Sequence, residues 1–142
     1  MNIMLIDQAK IKTIIPQREP FIMIDGLLNA DNSGFNSTFK IVDTNCMLDG
    51  TSASEGALVE NVAQTCAAGF GYLSSLEGQT EPRLGFIGAV TKLEVFGEAH
   101  VNDQLDTRVE ILNTFENIHL IEGTVRCNET ELLKCQMKIV LA

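Results

Sequence analysis

The sequence predicts an α+β fold in which one long helix is wrapped by a curved antiparallel sheet. Two observations carry this prediction. The segment from Thr51 to Gly78 has helical periodicity and is apolar enough to be nearly buried. The second half of the chain instead alternates apolar and polar residues over long runs separated by turn residues, which is typical of an antiparallel meander.

The composition indicates one globular domain over residues 1–142. A chain of 142 residues with 45% hydrophobic content can bury a full core. The formal net charge of −9 argues against nucleic acid and anionic membranes as partners, since neither is attracted to an acidic protein. Because the sequence shows no secretory leader and no apolar run near the roughly 20 residues of a membrane helix, we expect a cytoplasmic protein.

The cysteines do not follow a metal-binding pattern. Cys46, Cys66, Cys127 and Cys135 are scattered without C-x-x-C spacing, and three of them lie in apolar patterns. We therefore expect free thiols, no metal and no cofactor.

The elements are predicted in the order short helix, two strands, long helix and about four strands. The short helix covers residues 7–15 and ends at Pro16. An irregular loop over residues 43–54 delivers the chain to the long helix. The predicted strands cover residues 21–28, 35–42, 83–96, 104–113, 118–127 and 132–141.

Both ends of the long helix carry termination signals. Ser52 and Glu55 have the spacing of a capping box, and Gly78 suits a left-handed end. A broad apolar arc faces a narrower one that contains Ala57, Asn61, Gln64, Ala68 and Tyr72. The narrow arc, together with Gly85 and Gly88 of a later strand, is interpreted as shaped for close approach of a second subunit. Ordinary packing within the chain is the alternative.

Glu60 is the candidate functional group of this helix. It lies at the edge between the two arcs, where a carboxylate is partly removed from water and suits proton transfer. The alternative is a solvated or hydrogen-bonded surface glutamate.

Three stretches together resemble a known family. They are IPQREPFIMID over residues 15–25, LVENVAQ over residues 58–64 and GFIG over residues 85–88. From about Lys12 to the end, the chain resembles the 3-hydroxyacyl-acyl-carrier-protein dehydratases of the hotdog fold, closest to the branch associated with aryl-polyene pigments. The resemblance implies an acyl-thioester tunnel at the interface of a homodimer, or of a heterodimer with a related hotdog subunit. The acyl carrier would be acyl carrier protein or coenzyme A.

The resemblance also implies roles for individual residues. Glu60 would be the acid that protonates the departing hydroxyl, and the amides around Glu55 and Gly56 would hold the enolate oxygen. The further residues expected to contact substrate are Gln17, Asp49, Gln64, Gly85 and Phe86.

The usual general base of that family is missing. Residues 46–52 (CMLDGTS) replace the family's G-H-x-P-G segment, and Gln17 replaces a second histidine. The amide of Gln17 cannot take a proton at neutral pH. The two histidines present are His100, in a turn, and His119, which we expect to be a packed or surface strand residue.

Three functions remain open from the sequence. The first is an active dehydratase that uses another base, such as Asp49, Cys46 or a group of a partner subunit. The second is a hotdog thioesterase in which the Glu60 carboxylate works alone. The third is a non-catalytic subunit that binds an acyl chain or completes an active dehydratase.

Overall fold

The computed structural model describes residues 4–142 and confirms the α+β architecture. It contains a 3-10 turn, Ile11–Thr13, and one long helix, α1, over Glu55–Leu76. The strands are β1 (Gly26–Asp31), β2 (Gly34–Lys40), β3 (Leu48–Asp49), β4 (Ser52–Ala53), β5 (Gly85–Val95), β6 (Ala99–His100), β7 (Gln104–Phe115), β8 (Ile118–Cys127) and β9 (Thr130–Leu141).

Six strands form one antiparallel sheet in the order β1-β2-β7-β8-β9-β5. Helix α1 packs across it, mainly against β1, β2 and β7. The core lies between this helix and the sheet. Strand β5 is an edge strand, joined on one side to β9. A separate small sheet, β3-β4-β6, stands beside the start of α1.

The start of α1 differs from the predicted capping box. Ser54, not Ser52, is the cap, and its hydroxyl accepts a hydrogen bond of 3.1 Å from the amide of Ala57. Ser52 instead pairs in β4 with His100. The predicted end is confirmed, because Gly78 has a φ of +91° and the amides of Gly78 and Gln79 bond back to Ser75 and Ser74.

The interpretation of the narrow helix arc was wrong. Ala57, Asn61, Gln64 and Ala68 are buried inside the protomer, so packing within the chain accounts for them. The polar members are satisfied there: Asn61 donates to the carbonyl of Met23 at 2.7 Å and accepts from the Thr107 hydroxyl at 2.6 Å.

The first strand begins later than predicted. Residues 21–25 do not join the main sheet, and β1 starts at Gly26. The reason is that helix side chains take the backbone groups of this segment, with Gln64 bonding Phe21 and Met23 and Asn61 bonding Met23. We call residues 21–23 the crossing segment.

Other differences are smaller. The predicted helix over residues 7–15 shrinks to the 3-10 turn, and the predicted irregular loop contains β3 and β4. In the part of the chain that the structure describes, the four cysteines are free. No helix within residues 4–142 is long and apolar enough to cross a membrane.

Candidate functional site

A groove runs between α1 and the β5–β9 edge of the sheet. One wall is a helix face spaced at i, i+3, i+7 and i+10, made of Glu60, Ala63, Ala67 and Phe70. The groove encloses about 260 Å³. Its other lining residues are Gln17, Arg83, Gly85, Phe86, Ile87, Ile139 and Leu141.

The groove has the Glu60 carboxylate at one end, is apolar along the helix, and is lined by Arg83 near Phe70 at the other end. Glu60 and Phe70 are ten residues apart, which is about 15 Å along a helix axis. Between them stand the methyl groups of Ala63 and Ala67, and these short side chains leave the open space. Ile139 and Leu141 of β9 contribute apolar surface from the sheet, and both are nearly buried. The cavity therefore suits an elongated apolar ligand with a polar group beside Glu60.

The Glu60 carboxylate is held by the side chain of Gln64, one helical turn later. Nε2 of Gln64 donates to Oε1 of Glu60 at 3.2 Å and to the carbonyl of Phe21 at 2.8 Å. Oε1 of Gln64 accepts the amide of Met23 at 2.6 Å. Because every polar atom of this amide is engaged, Gln64 positions Glu60 and the crossing segment, and it is not one of the groove-lining residues.

Gln17 reaches the groove from the loop before the crossing segment. Its Oε1 is buried and has no hydrogen-bond partner among residues 4–142. The loop itself is fixed by Arg18, whose guanidinium donates to the carbonyls of Ile15 at 2.8 Å, Gln17 at 2.7 Å and Lys12 at 3.2 Å. Arg18 thus holds the loop that presents Gln17, and Gln17 keeps an unsatisfied acceptor beside the groove.

The structure brings together some of the residues that the sequence predicted for a site. Gln17, Glu60, Gly85 and Phe86 line one groove, and Gln64 contacts Glu60. Gln64 does not line the groove itself, and the other three predicted residues lie outside it. Asp49 is exposed on β3, while Glu55 and Gly56 are exposed at the start of α1.

The groove contains no general base of the expected kind. Of the described residues that line it, the ionisable ones are Glu60 and Arg83. His119 lies beyond its far end, with its ring 4.4 Å from that of Phe70 and its Nδ1 2.9 Å from the Thr114 hydroxyl. Burial, aided by the charge of Arg83, lowers the pKa of His119. His119 is therefore a packed strand residue separated from Glu60 by the length of the groove.

Several lining residues escaped the sequence analysis. Ala63, Ala67 and Phe70 were not predicted as site residues, although their spacing from Glu60 places them on one face of the helix. No sequence feature marked Ile139 and Leu141 as groove residues, because the alternation of a strand does not distinguish residues of the core from residues of a groove wall.

Comparison with known proteins places the fold and the family. The protein YcsD of Bacillus subtilis (strain 168) is 30% identical over 101 residues, which is 68% of this chain and 72% of YcsD. A chain of the dehydratase heterocomplex ApeI:P from Xenorhabdus doucetiae superposes with a TM-score of 0.85 at 14% identity, covering 93% of this chain and 90% of that one.

A second solved structure is the hypothetical thioesterase of Streptococcus pneumoniae TIGR4 with coenzyme A. It has a TM-score of 0.64 at 14% identity and covers 82% of this chain and 86% of its own. At such identities these likenesses show a shared fold, the hotdog fold that the resemblance implied. A family model described as ApeP-like, ApeP dehydratase, matches residues 9–142. The chain therefore belongs to the ApeP-like family of hotdog-fold dehydratases.

Proposed function

We propose that this chain is a subunit of a 3-hydroxyacyl-thioester dehydratase that binds the acyl chain in the groove and uses Glu60 as the acid. The observation that carries the proposal is the position of the Glu60 carboxylate at the head of an apolar groove, held there by Gln64. An acyl chain would lie along Ala63 and Ala67, with its reacting carbons beside Glu60.

The proposed dehydration requires two proton transfers. A base removes a proton from C2 of the 3-hydroxyacyl thioester, and the electron pair forms the C2–C3 double bond as the hydroxyl leaves C3. Protonated Glu60 gives its proton to that hydroxyl, so the products are water and an enoyl thioester.

The base must come from outside this groove. None of the groove residues described above can act as a base opposite Glu60, since Gln17 does not titrate and Arg83 stays protonated. We propose that a second hotdog subunit supplies it. The dehydratase ApeI:P of Xenorhabdus doucetiae is a heterocomplex, which supports an assembly of two subunits.

Strand β5 is the proposed contact surface for that subunit. Nearly all of its residues are exposed, and its large apolar side chains include Phe86, Ile87, Val90 and Leu93. An exposed apolar edge strand invites pairing with another strand. Because β5 also lines the groove through Gly85 and Phe86, a subunit paired there would stand next to Glu60.

The second subunit is either another copy of this chain or a related one. In a homodimer the base would be Asp49 or Cys46 of the second copy, both of which are exposed. In a heterodimer it would be a residue of the related chain. The thioester is proposed to arrive on acyl carrier protein or coenzyme A. The pneumococcal thioesterase solved with coenzyme A supports a thioester ligand.

The test is to incubate the purified chain, alone and with a related hotdog dehydratase subunit, with a 3-hydroxyacyl-pantetheine thioester. Enoyl product formed by the chain alone and lost in Asp49→Asn or Cys46→Ser would identify the homodimer. Product formed only by the mixture, and reduced by Glu60→Gln, would identify the heterodimer. Absence of enoyl product in both arrangements would contradict the proposal.

A thioesterase is the second candidate, and the lack of a base in the groove favours it. A carboxylate alone can activate water or attack the thioester carbonyl, with release of free acid and thiol. The same incubation distinguishes the two functions, because thiol release detected with a thiol reagent marks hydrolysis and enoyl product marks dehydration.

A further inference from the structure

One aromatic side chain, Phe70, stands at the end of the groove away from Glu60. Phe70 is 7% exposed, and its ring is held between two neighbours. Its centroid lies 5.0 Å from that of Phe35, with the planes at 80°, and 4.4 Å from that of His119. Such packing on two sides fixes the ring as a wall.

A second cavity lies on the other side of this wall. It encloses about 360 Å³ and shares Phe70, Arg83 and Leu141 with the groove. Its further lining includes Leu73, Ile111 and His119. The two spaces are thus neighbours along α1, and Phe70 is the largest apolar side chain that borders both.

We propose that Phe70 sets the maximum length of the acyl chain that this protein binds. The inference rests on the proposed acyl-thioester function and adds to that function a specificity for acyl-chain length. Chains that end before Phe70 bury each additional methylene in the groove. Longer chains meet the ring and gain less, because Phe70, held by its packing with Phe35 and His119, stands between the groove and the second cavity.

Two substitutions in the groove should change the maximum acyl-chain length in opposite directions. Phe70→Ala joins the groove to the second cavity and should admit longer chains. Ala67→Leu fills the groove one turn earlier and should exclude chains that the natural protein accepts. Leu73→Ala is the matched control, since Leu73 lines the second cavity and is not a groove-lining residue.

The experiment measures the affinity for saturated acyl-pantetheine analogues that carry an amide in place of the thioester, from butyryl to hexadecanoyl. These probes can be neither dehydrated nor hydrolysed. Each methylene buried should raise the affinity about fourfold, so the affinity should rise with length and then level off at a break. We expect the break at longer chains in Phe70→Ala, at shorter chains in Ala67→Leu and unchanged in Leu73→Ala.

The outcomes separate this inference from the proposed function. If the unmodified protein binds none of the probes, the proposed function fails and the inference fails with it. If the probes bind but the break is absent, or does not move in Phe70→Ala and Ala67→Leu, the inference fails while acyl binding stands. If Phe70→Ala does not fold, Phe70→Leu replaces it, because leucine at residue 70 is shorter than phenylalanine and remains apolar. The break should then lie at longer chains in Phe70→Leu and at shorter chains in Ala67→Leu.

Discussion

The side chain of Gln64 connects the Glu60 carboxylate to the crossing segment. Its Nε2 lies 3.2 Å from Oε1 of Glu60 and also donates to Phe21, while its oxygen accepts the amide of Met23. One buried amide therefore stabilises the fold and orients the group proposed to act as the acid. The two effects can be measured separately.

Removing this amide should cost stability. Gln64→Leu leaves the Met23 amide and the Phe21 carbonyl without their partner, and we expect the free energy of unfolding to fall by about 2–4 kcal/mol. Urea denaturation measures it. Gln79→Leu, an exposed glutamine just past the helix, is the control and should change the value by less than about 0.5 kcal/mol. Equal effects of the two substitutions on the free energy of unfolding would show that the hydrogen bonds of the Gln64 side chain do not stabilise the fold.

Gly69 should be intolerant of any side chain. A Cβ there would overlap the buried ring of Phe35, whereas a Cβ at Gly56 would stand 3.3 Å from the flexible end of Met47. Gly69→Ala is expected to lower the free energy of unfolding by about 1–3 kcal/mol through overpacking. Gly56→Ala should leave it unchanged or raise it by up to about 1 kcal/mol, because alanine favours the helix. Thermal unfolding of both variants checks the pair, and a stable Gly69→Ala protein would contradict the packing described.

The edge strand β5 should carry the subunit contact. Val90→Lys combined with Leu93→Lys places two charges on its exposed apolar surface. If the unmodified chain sediments as an assembly, alone or mixed with a related hotdog subunit, we expect the double variant to sediment as a monomer. Leu76→Lys is the control, since Leu76 is 66% exposed at the end of α1 and is not part of this strand. An assembly that survives the double substitution would show that the contact uses another surface.

His119 should make the fold less stable in mild acid. Its pKa is lowered below the ordinary value of 6.5 by burial and by Arg83. Between the lowered folded value and 6.5 the unfolded chain therefore binds more protons, so stability falls as the pH drops through this range. His119→Gln should weaken that fall between about pH 7.5 and about pH 5.5.

Urea denaturation at the two pH values measures this difference. The two proteins differ only at residue 119, so the difference between them isolates the contribution of His119. An identical fall in the two proteins would mean that His119 titrates alike in the folded and unfolded chains.

The sequence was sufficient for the main elements. The helical period from Thr51 to Gly78 and the alternation after Gln104 follow from local patterns, and Gly78 ends the helix as its left-handed conformation requires. The polar residues of the helix could not be placed in this way. Asn61 and Gln64 are buried because their partners, Met23 and Thr107, arrive from 38 to 46 residues away, and periodicity carries no information about such pairs.

The site was only partly accessible from the sequence. Glu60 was predicted from its position on the helix and, with Gln17 and Phe86, from the family resemblance. All three line one groove. The Gln64 side chain positions Glu60 through its hydrogen bonds to the crossing segment, and no sequence motif predicts those hydrogen bonds. The proposed base could not be located from the sequence, because a residue of a related subunit would not appear in this chain and a residue of a second copy would face Glu60 only in the assembly.

The most direct test of the account is the rate of enoyl-thioester formation by the two-subunit assembly with Glu60 or with Glu60→Gln in this chain. The glutamine keeps the size of the side chain and removes the transferable proton. We expect the rate to fall by a factor on the order of 10² to 10⁴ while the affinity for the saturated amide probe is retained. An undiminished rate in Glu60→Gln would contradict the assignment of Glu60 as the acid.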